Sequence, residues 1–488
     1  MLSVKGAGGS GLEIKNGGSV DITALSDEID VGNFVSCSSG EHIATNLDTE
    51  IYYGSGSQRM SMRPLNRNNK FVMCAETSSI NASDTAYIKI FVYSADNLNL
   101  TLLNSSIVVD EATASTQEYS PKLMNIEENK FLLVTSFGGT TAFMRFVEIG
   151  EDYDINVSDP VQIYTNTTGG YKAMSSDMPL IKLENNKYAL LYTTSDTGRS
   201  YYSYLRFCIF RIDNNVPVII DNTLYIRFDG GNSDSRKSFN YTWAYEDNGE
   251  IIILAGMNLT SRYSTYPQIY KVSNINSSDP TITMLYSSSD KLLKNGVTYK
   301  KMFVTCSMYS SHISATSANE QYDIDQYLVE NGEVIRRTYP YVPFFDTNVT
   351  DEVVSFLTPY TFGTDDLGNL ICACRGESRD SYYYKIGYVC LKSQNNFLIY
   401  DRCKSSDQYT RYYDIYVDSS PIFISESSVV IPISTSLFSS GSNRTYQFKI
   451  IEDGLLKATK YTDDEPCYGI VTKKITSTSG TIVVPTID

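Results

Sequence analysis

Apolar residues along this chain recur at alternate positions in short runs, broken by Asn, Asp, Gly and Ser. The stretch Ser120–Thr165 shows the unit. It holds a short apolar strand (Lys122–Ile126), a polar turn, a longer strand (Lys130–Ser136), a Gly-rich loop, an alternating strand (Ala142–Ile149) and a last strand (Val161–Tyr164). Alternation with turn residues between the runs predicts a four-stranded antiparallel meander. One such sheet is too small to be stable alone.

The second and most apolar strand of the unit recurs. It starts near Phe71, Phe131, Tyr188, Ile251, His312, Leu370 and Val429, at a spacing of about 60 residues, which suits one propeller blade per unit. The pattern therefore predicts an all-β chain folded as a β-propeller of seven blades, each of four antiparallel strands. The fifth unit (HISATSA) is barely apolar, so six blades plus an irregular insert is the alternative.

Residues 1–58 do not fit the repeat and are expected to form a short N-terminal attachment arm; residues 59–461 form the propeller. Within the arm, Asn16-Gly17-Gly18 is a hairpin-type turn. The alternative is that the arm supplies the first, degenerate strands of the propeller. Residues 462–488 read as closing strands or a hairpin, whose last strand either pairs with N-terminal residues or docks on a partner.

Connections within the repeats are unequal. Turns between first and second strands (Asn66–Asn69, Glu127–Asn129, Glu184–Asn186, Asp247–Gly249, Asp365–Gly368) are short, as are those between third and fourth strands (Asn214–Asn215, Glu330–Gly332, Asn395–Asn396, Glu452–Gly454). The long second-to-third and blade-to-blade connections gather on the opposite face and are rich in Tyr, Arg, Ser and Gly. Loops over a rigid scaffold carry binding residues disproportionately. Arg199 with Tyr201 and Tyr202, Arg262 with Tyr263, Arg379 with Tyr382 and Tyr383, and Arg444 with Tyr446 are the candidate ligand-binding residues, one set per blade around one rim. Guanidinium forks suit carboxylate or phosphate, and Tyr rings add rigid contact area with a polar tip. That combination suits a sugar, above all an acidic one or a polyol-phosphate; the plainer reading is Arg stacked on Tyr to stiffen a loop.

Composition narrows the choice. A net charge of −16 argues against nucleic acid, which needs a concentrated basic surface. Tyr 39 and Trp 1, with abundant Ser, Thr and Asn, favour strands over helices. The nine cysteines are scattered and read as buried small hydrophobes; Cys372 and Cys374 alternate on one strand. With no CxxC pair and only two histidines, no metal site and no cofactor are expected. The N-terminal segment lacks the apolar core of a signal peptide, and no run is long enough for a membrane span.

Propellers also host glycosidases, which need a carboxylic acid and a nucleophile or base flanking the scissile bond. The carboxylates here sit in no such motif, and the Ser-x-Asp-x-Gly-x-x-Trp box of sialidases is absent. No catalytic residue is assigned, and a non-enzymatic protein is expected.

The C-terminal segment GIVTKKITSTSGTIVVP (Gly469–Pro485) is similar to the Gly-x-Val/Ala … Thr-x-Gly-x-x-Val-x-Val endings of bacteriophage structural proteins. With the Gly-rich start and the Ser/Thr/Asn/Tyr-rich all-β body, the chain resembles a phage tail or baseplate protein of the receptor-binding or fibre type. That resemblance implies a virion protein made in the host cytoplasm, with other tail proteins and a bacterial surface glycan as partners; homo-oligomerisation stays open. The alternatives are a purely structural component packing against neighbouring subunits, and a glycan-cleaving propeller.

Overall fold

The structure is a computed structural model. It describes the chain apart from residues 1–2, 5–11, 14, 23, 26–28, 39–41, 47–51, 54–59, 67, 79–85, 97–98, 110–120, 138–140, 166–177, 196–202, 229–238, 259–264, 276, 278, 310–321, 342–354, 365–368, 378–381, 391–397, 402–412, 417–419, 426–427, 438–442, 452–456, 462–468, 476–479 and 487–488; for the strands before residue 29, within 42–53, from 355 to 416 (Gly363 apart) and within 431–449 it describes the backbone course alone. Among the described residues there is no α-helix, so none long and apolar enough to cross a membrane.

The chain is all-β, built mainly of antiparallel four-stranded sheets. Sheet one is Met60–Leu65, Lys70–Ser78, Ala86–Ser94 and Thr101–Val109. Sheet two is Lys122–Glu127, Lys130–Phe137 and Thr141–Ile149, with Ile155–Val157 and Val161–Thr165 sharing the fourth place. Sheet three is Leu180–Lys182, Lys187–Ser195 and Ser203–Asp213, with Val216–Asp221 and Tyr225–Phe228 as its fourth strand. Sheet four is Phe239–Asp247, Glu250–Asn258, Thr265–Ser273 and Thr281–Ser287; sheet five is Lys291–Tyr299, Met302–Tyr309, Tyr322–Glu330 and Glu333–Tyr341. Sheet six is Ser355–Thr364, Asn369–Glu377, Tyr382–Cys390 and Leu398–Asp401. In sheet seven, Tyr413–Tyr416 and Ile422–Phe423 precede Val429–Leu437 and Asn443–Ile451.

The outer strand of sheet seven comes from the other end of the chain. His42–Asn46 and Tyr52–Tyr53 pair antiparallel with Asn443–Ile451, Ile43 opposite Ile450. A further sheet runs in the order Lys15–Ile22, Gly480–Thr486, Gly469–Lys474, Phe34–Ser38, Lys457–Lys460, Ala24–Leu25. Residues 1–58 thus enter both of these sheets, besides a two-stranded pairing of Ser3–Val4 with Leu12–Glu13, and the last strand pairs with N-terminal residues.

Successive sheets pack face to face. Phe131, Leu133, Val147 and Ile149 of sheet two meet Val72, Ile88 and Ile90 of sheet one. Leu132, Met144 and Val134 meet Tyr188, Leu190 and Phe210 of sheet three. The series continues through sheets four and five. Ile422, Ile424, Val430 and Ile450 of sheet seven then pack on Met60, Met62, Phe71 and Met73 of sheet one. First strands follow the same order, each beside the next, with Ile422–Phe423 beside Met60–Leu65. With both faces covered, second strands such as Phe71–Ala75 and Ile251–Met257 are buried throughout, and so read as unbroken apolar runs. Each large buried side chain contributes about 1.5–3 kcal/mol by leaving water.

Short turns follow the residues expected. Asn185-Asn186, Asn214-Asn215, Asn248-Gly249 and Asn331-Gly332 hold positive φ at both positions, between 50° and 82°. That backbone suits the right-handed twist of hairpin strands and selects Asn and Gly. The fifth unit differs from the sequence expectation. Its second strand is Met302–Tyr309, ahead of the His312 start, and residues 310–321 lie outside the described residues.

Beside the turn of sheet four, the Glu250 carboxylate accepts from Ser273 Oγ (2.6 Å) and pairs with Lys271 (3.1 Å). The Ser273 bond first, then Lys271, holds its pKa below the ordinary 4.5. A depressed folded-state pKa contributes stability present above the unfolded value and lost as pH falls through the folded one. Glu250→Gln should therefore lower the neutral plateau of melting temperature and shallow its fall below about pH 4.5, so that the two curves converge in acid; a calorimetric pH series checks this.

Candidate functional site

Second strands end, and third strands begin, at the edge opposite the short Asn turns. Several of the proposed site residues, Arg199, Tyr201, Tyr202, Arg262, Tyr263 and Arg379, lie outside the described residues. The other four are not in loops. Tyr382 and Tyr383 stand on the third strand of sheet six, opposite Glu377 and Gly376. Arg444 and Tyr446 stand on the third strand of sheet seven, opposite Ser436 and Ser434, with Tyr52 flanking Arg444. These aromatic and Thr-rich segments extend the ladders, leaving connections of only residues 378–381 and 438–442.

The structure places a different set of groups at this edge. Third strands carry a polar residue two places after an aromatic one: Tyr87-Ile88-Lys89, Phe143-Met144-Arg145, Tyr204-Leu205-Arg206 and Tyr266-Pro267-Gln268, with Tyr383-Tyr384-Lys385 at the matching place in sheet six. In sheet five the corresponding pair is Asp323 and Asp325. Alternation puts Lys89, Arg145, Arg206, Gln268 and Asp325 on the face toward the preceding sheet.

Their partners show two regimes. Arg145 is buried and donates from Nη1 to Thr135 Oγ1 at 3.2 Å; burial pulls its guanidinium below the ordinary value. Gln268 is buried, accepting from Tyr270 OH (2.5 Å) and donating to Ser287 Oγ (3.2 Å), and burial pushes the Tyr270 phenol up to about 12. In sheet five Lys291 pairs with Asp323 at 2.5 Å, and Asp325 accepts from Ser307 and from Thr338 (2.5 Å). These bonds join strands within a single sheet, with the polar groups of Arg145, Gln268, Lys291, Asp323 and Asp325 buried.

Arg206 is different. Its Nε donates to Thr194 Oγ1 at 2.9 Å, and its guanidinium carbon lies 5.2, 5.1 and 5.6 Å from the ring centres of Tyr164, Tyr204 and Tyr225. Tyr204 and Tyr225 meet edge to face at 5.4 Å and 82°. Tyr164 belongs to sheet two and the other two to sheet three, so the guanidinium bridges the outer parts of both. Tyr225 is 44% exposed. Among the described residues no carboxylate pairs with Arg206, and its terminal nitrogens are not among the buried atoms lacking a partner. They open to solvent. The strand begins at Ser203, directly after the segment holding Arg199, Tyr201 and Tyr202. A half-buried cation held among aromatic rings beside water can take an anionic or polar ligand with little loss of side-chain freedom. The reading of loops alone missed Arg206; the repeated aromatic-x-polar pattern of the third strands is the signal that carries it.

No family model matches the sequence, and no curated protein matches it. Among solved structures, the chain is similar to a protein of unknown function from Dyadobacter fermentans, at 7% identity over 85% of this chain and 99% of that one, with a TM-score of 0.42. It is similar to the β-propeller domain of the Trilobed protease from Pyrococcus furiosus (8% identity, 85% and 96% covered, TM-score 0.39). A third is an α-L-arabinanase from Penicillium chrysogenum (12% identity, 85% and 99% covered, TM-score 0.38). Likenesses this distant carry no functional argument.

Proposed function

We propose that the chain is a seven-bladed β-propeller that binds a bacterial surface glycan without cleaving it, as the receptor-binding part of a phage tail or baseplate. The ring reading is supported by the order of sheet packing, in which the seventh sheet meets the first, and by the N-terminal strands that complete the seventh. The observation that carries the binding role is Arg206 among three tyrosine rings, opening to water at the edge where the long connections gather. The tail context comes from the C-terminal resemblance.

A structural role is the second reading. It is favoured by Val216, Val218 and Ile220 on the outer strand of sheet three and Met284 on that of sheet four, all exposed apolar residues along the periphery.

Labelled protein on a bacterial surface-glycan array, with each spot read afterwards by mass spectrometry, tests the proposal. Retention on intact glycan is the expected result. Cleaved glycan would overturn the non-catalytic role, and no retention on any glycan or host cell would favour the structural one.

A further inference from the structure

Resting on that binding role, we infer that Arg206, with Tyr164, Tyr204 and Tyr225, is a binding site for a carboxylate-bearing sugar. The donors decide the class of ligand. Nε is committed to Thr194 Oγ1, which leaves the edge formed by the two terminal nitrogens for a ligand. That edge matches the two oxygens of a planar carboxylate in a bidentate pair. Tyr225 offers a ring at the water boundary for the apolar C–H face of a pyranose. Uronic and sialic acids carry both features in one residue.

A purely architectural Arg206 would resemble Arg145, its equivalent in sheet two. Arg145 is buried and bonded to the equivalent threonine through Nη1, and among the described residues no ring stacks on it. Arg206 bonds its threonine through Nε and keeps its terminal nitrogens in water, with no carboxylate among the described residues to satisfy them. A net charge of −16 gives an acidic ligand no long-range steering, so recognition falls to this local cation.

Titration calorimetry with oligogalacturonate, oligoglucuronate and a sialyl-oligosaccharide, each beside its carboxyl-reduced counterpart, tests the inference, with a glycerol-phosphate oligomer as a further probe. The wild-type protein should bind at least one carboxylated probe tenfold or more tighter than its reduced form. Arg206→Gln should abolish that preference, and Tyr225→Ala should weaken both members of the pair several-fold. Arg337→Gln, an exposed residue on the outer strand of sheet five, should leave binding unchanged. Tyr225→Ala removes an exposed ring and keeps the test valid if Arg206→Gln unfolds. Equal binding of acid and reduced forms, unchanged affinity in Arg206→Gln, or binding of the phosphate probe alone would overturn the site. Array retention confined to neutral glycans would overturn this inference and leave the binding role standing; absence of all retention would overturn both.

Discussion

Gly363→Ala should unfold the junction between sheets six and seven, with a loss of several kcal/mol and a large drop in soluble yield. Gly363 lies on the first strand of sheet six, where that strand crosses the segment entering sheet seven. A Cβ there would stand 2.8 Å from the Pro421 carbonyl carbon, and closer to its oxygen. The obstacle is backbone, which no rotamer change relieves. Overpacking of a well-filled core already costs about 1–3 kcal/mol when only side chains must move. Thermal unfolding of the variant checks this; a melting temperature within about two degrees of wild type would show that the strands can separate without cost.

Asp323→Ala should cost about 3–5 kcal/mol, because it removes the carboxylate paired with a lysine that has no exposed surface. Lys291 opens the first strand of sheet five, and Asp323 lies near the start of the third, on the face packed against sheet four. An ion pair so placed gains little over apolar residues of the same size, yet removing the carboxylate takes its ion-pair partner from a buried charge. The double variant Lys291→Met with Asp323→Leu should therefore recover most of the stability lost by Asp323→Ala. Urea unfolding of the single and double variants measures the coupling. A double variant as unstable as Asp323→Ala would show that the carboxylate acts through other partners.

Much of this architecture was legible in the residues. Second strands are buried on both faces, so FVMCA, FLLV and IIILA stand out as unbroken apolar runs, and Asn-Asn and Asn-Gly mark the tight turns. The fifth second strand escaped because Thr305 stands where sheets two, three and four place Leu133, Tyr192 and Ala255, with polar Ser307 two places on. Ser307 serves Asp325, which lies directly opposite Thr305, so burial there follows a hydrogen-bond network that a hydrophobicity pattern does not register. The completion of sheet seven by His42–Asn46 was hidden for another reason: its partner strand lies at the far end of the chain, and nothing local in HIATN specifies it.

The candidate site was legible in kind more than in place. Arg and Tyr were expected together at the elaborated edge. Arg444, Tyr446, Tyr382 and Tyr383 extend strands there, since aromatic and β-branched neighbours favour the ladder over a loop. Arg206 sits inside a strand whose neighbours Leu205 and Phe207 are core residues, so its role depends on Tyr164 from the adjacent sheet, a contact that sequence spacing does not supply.

The measurement that tests the central claim most directly is hydrogen–deuterium exchange with and without the glycan retained best on the array. Protection should appear in peptides covering the start of the Ser203–Asp213 strand and the Tyr225–Phe228 strand, with none at Asn214-Asn215 or Asn331-Gly332 on the opposite edge. Protection at the Asn turns, or none near Arg206, would contradict the account.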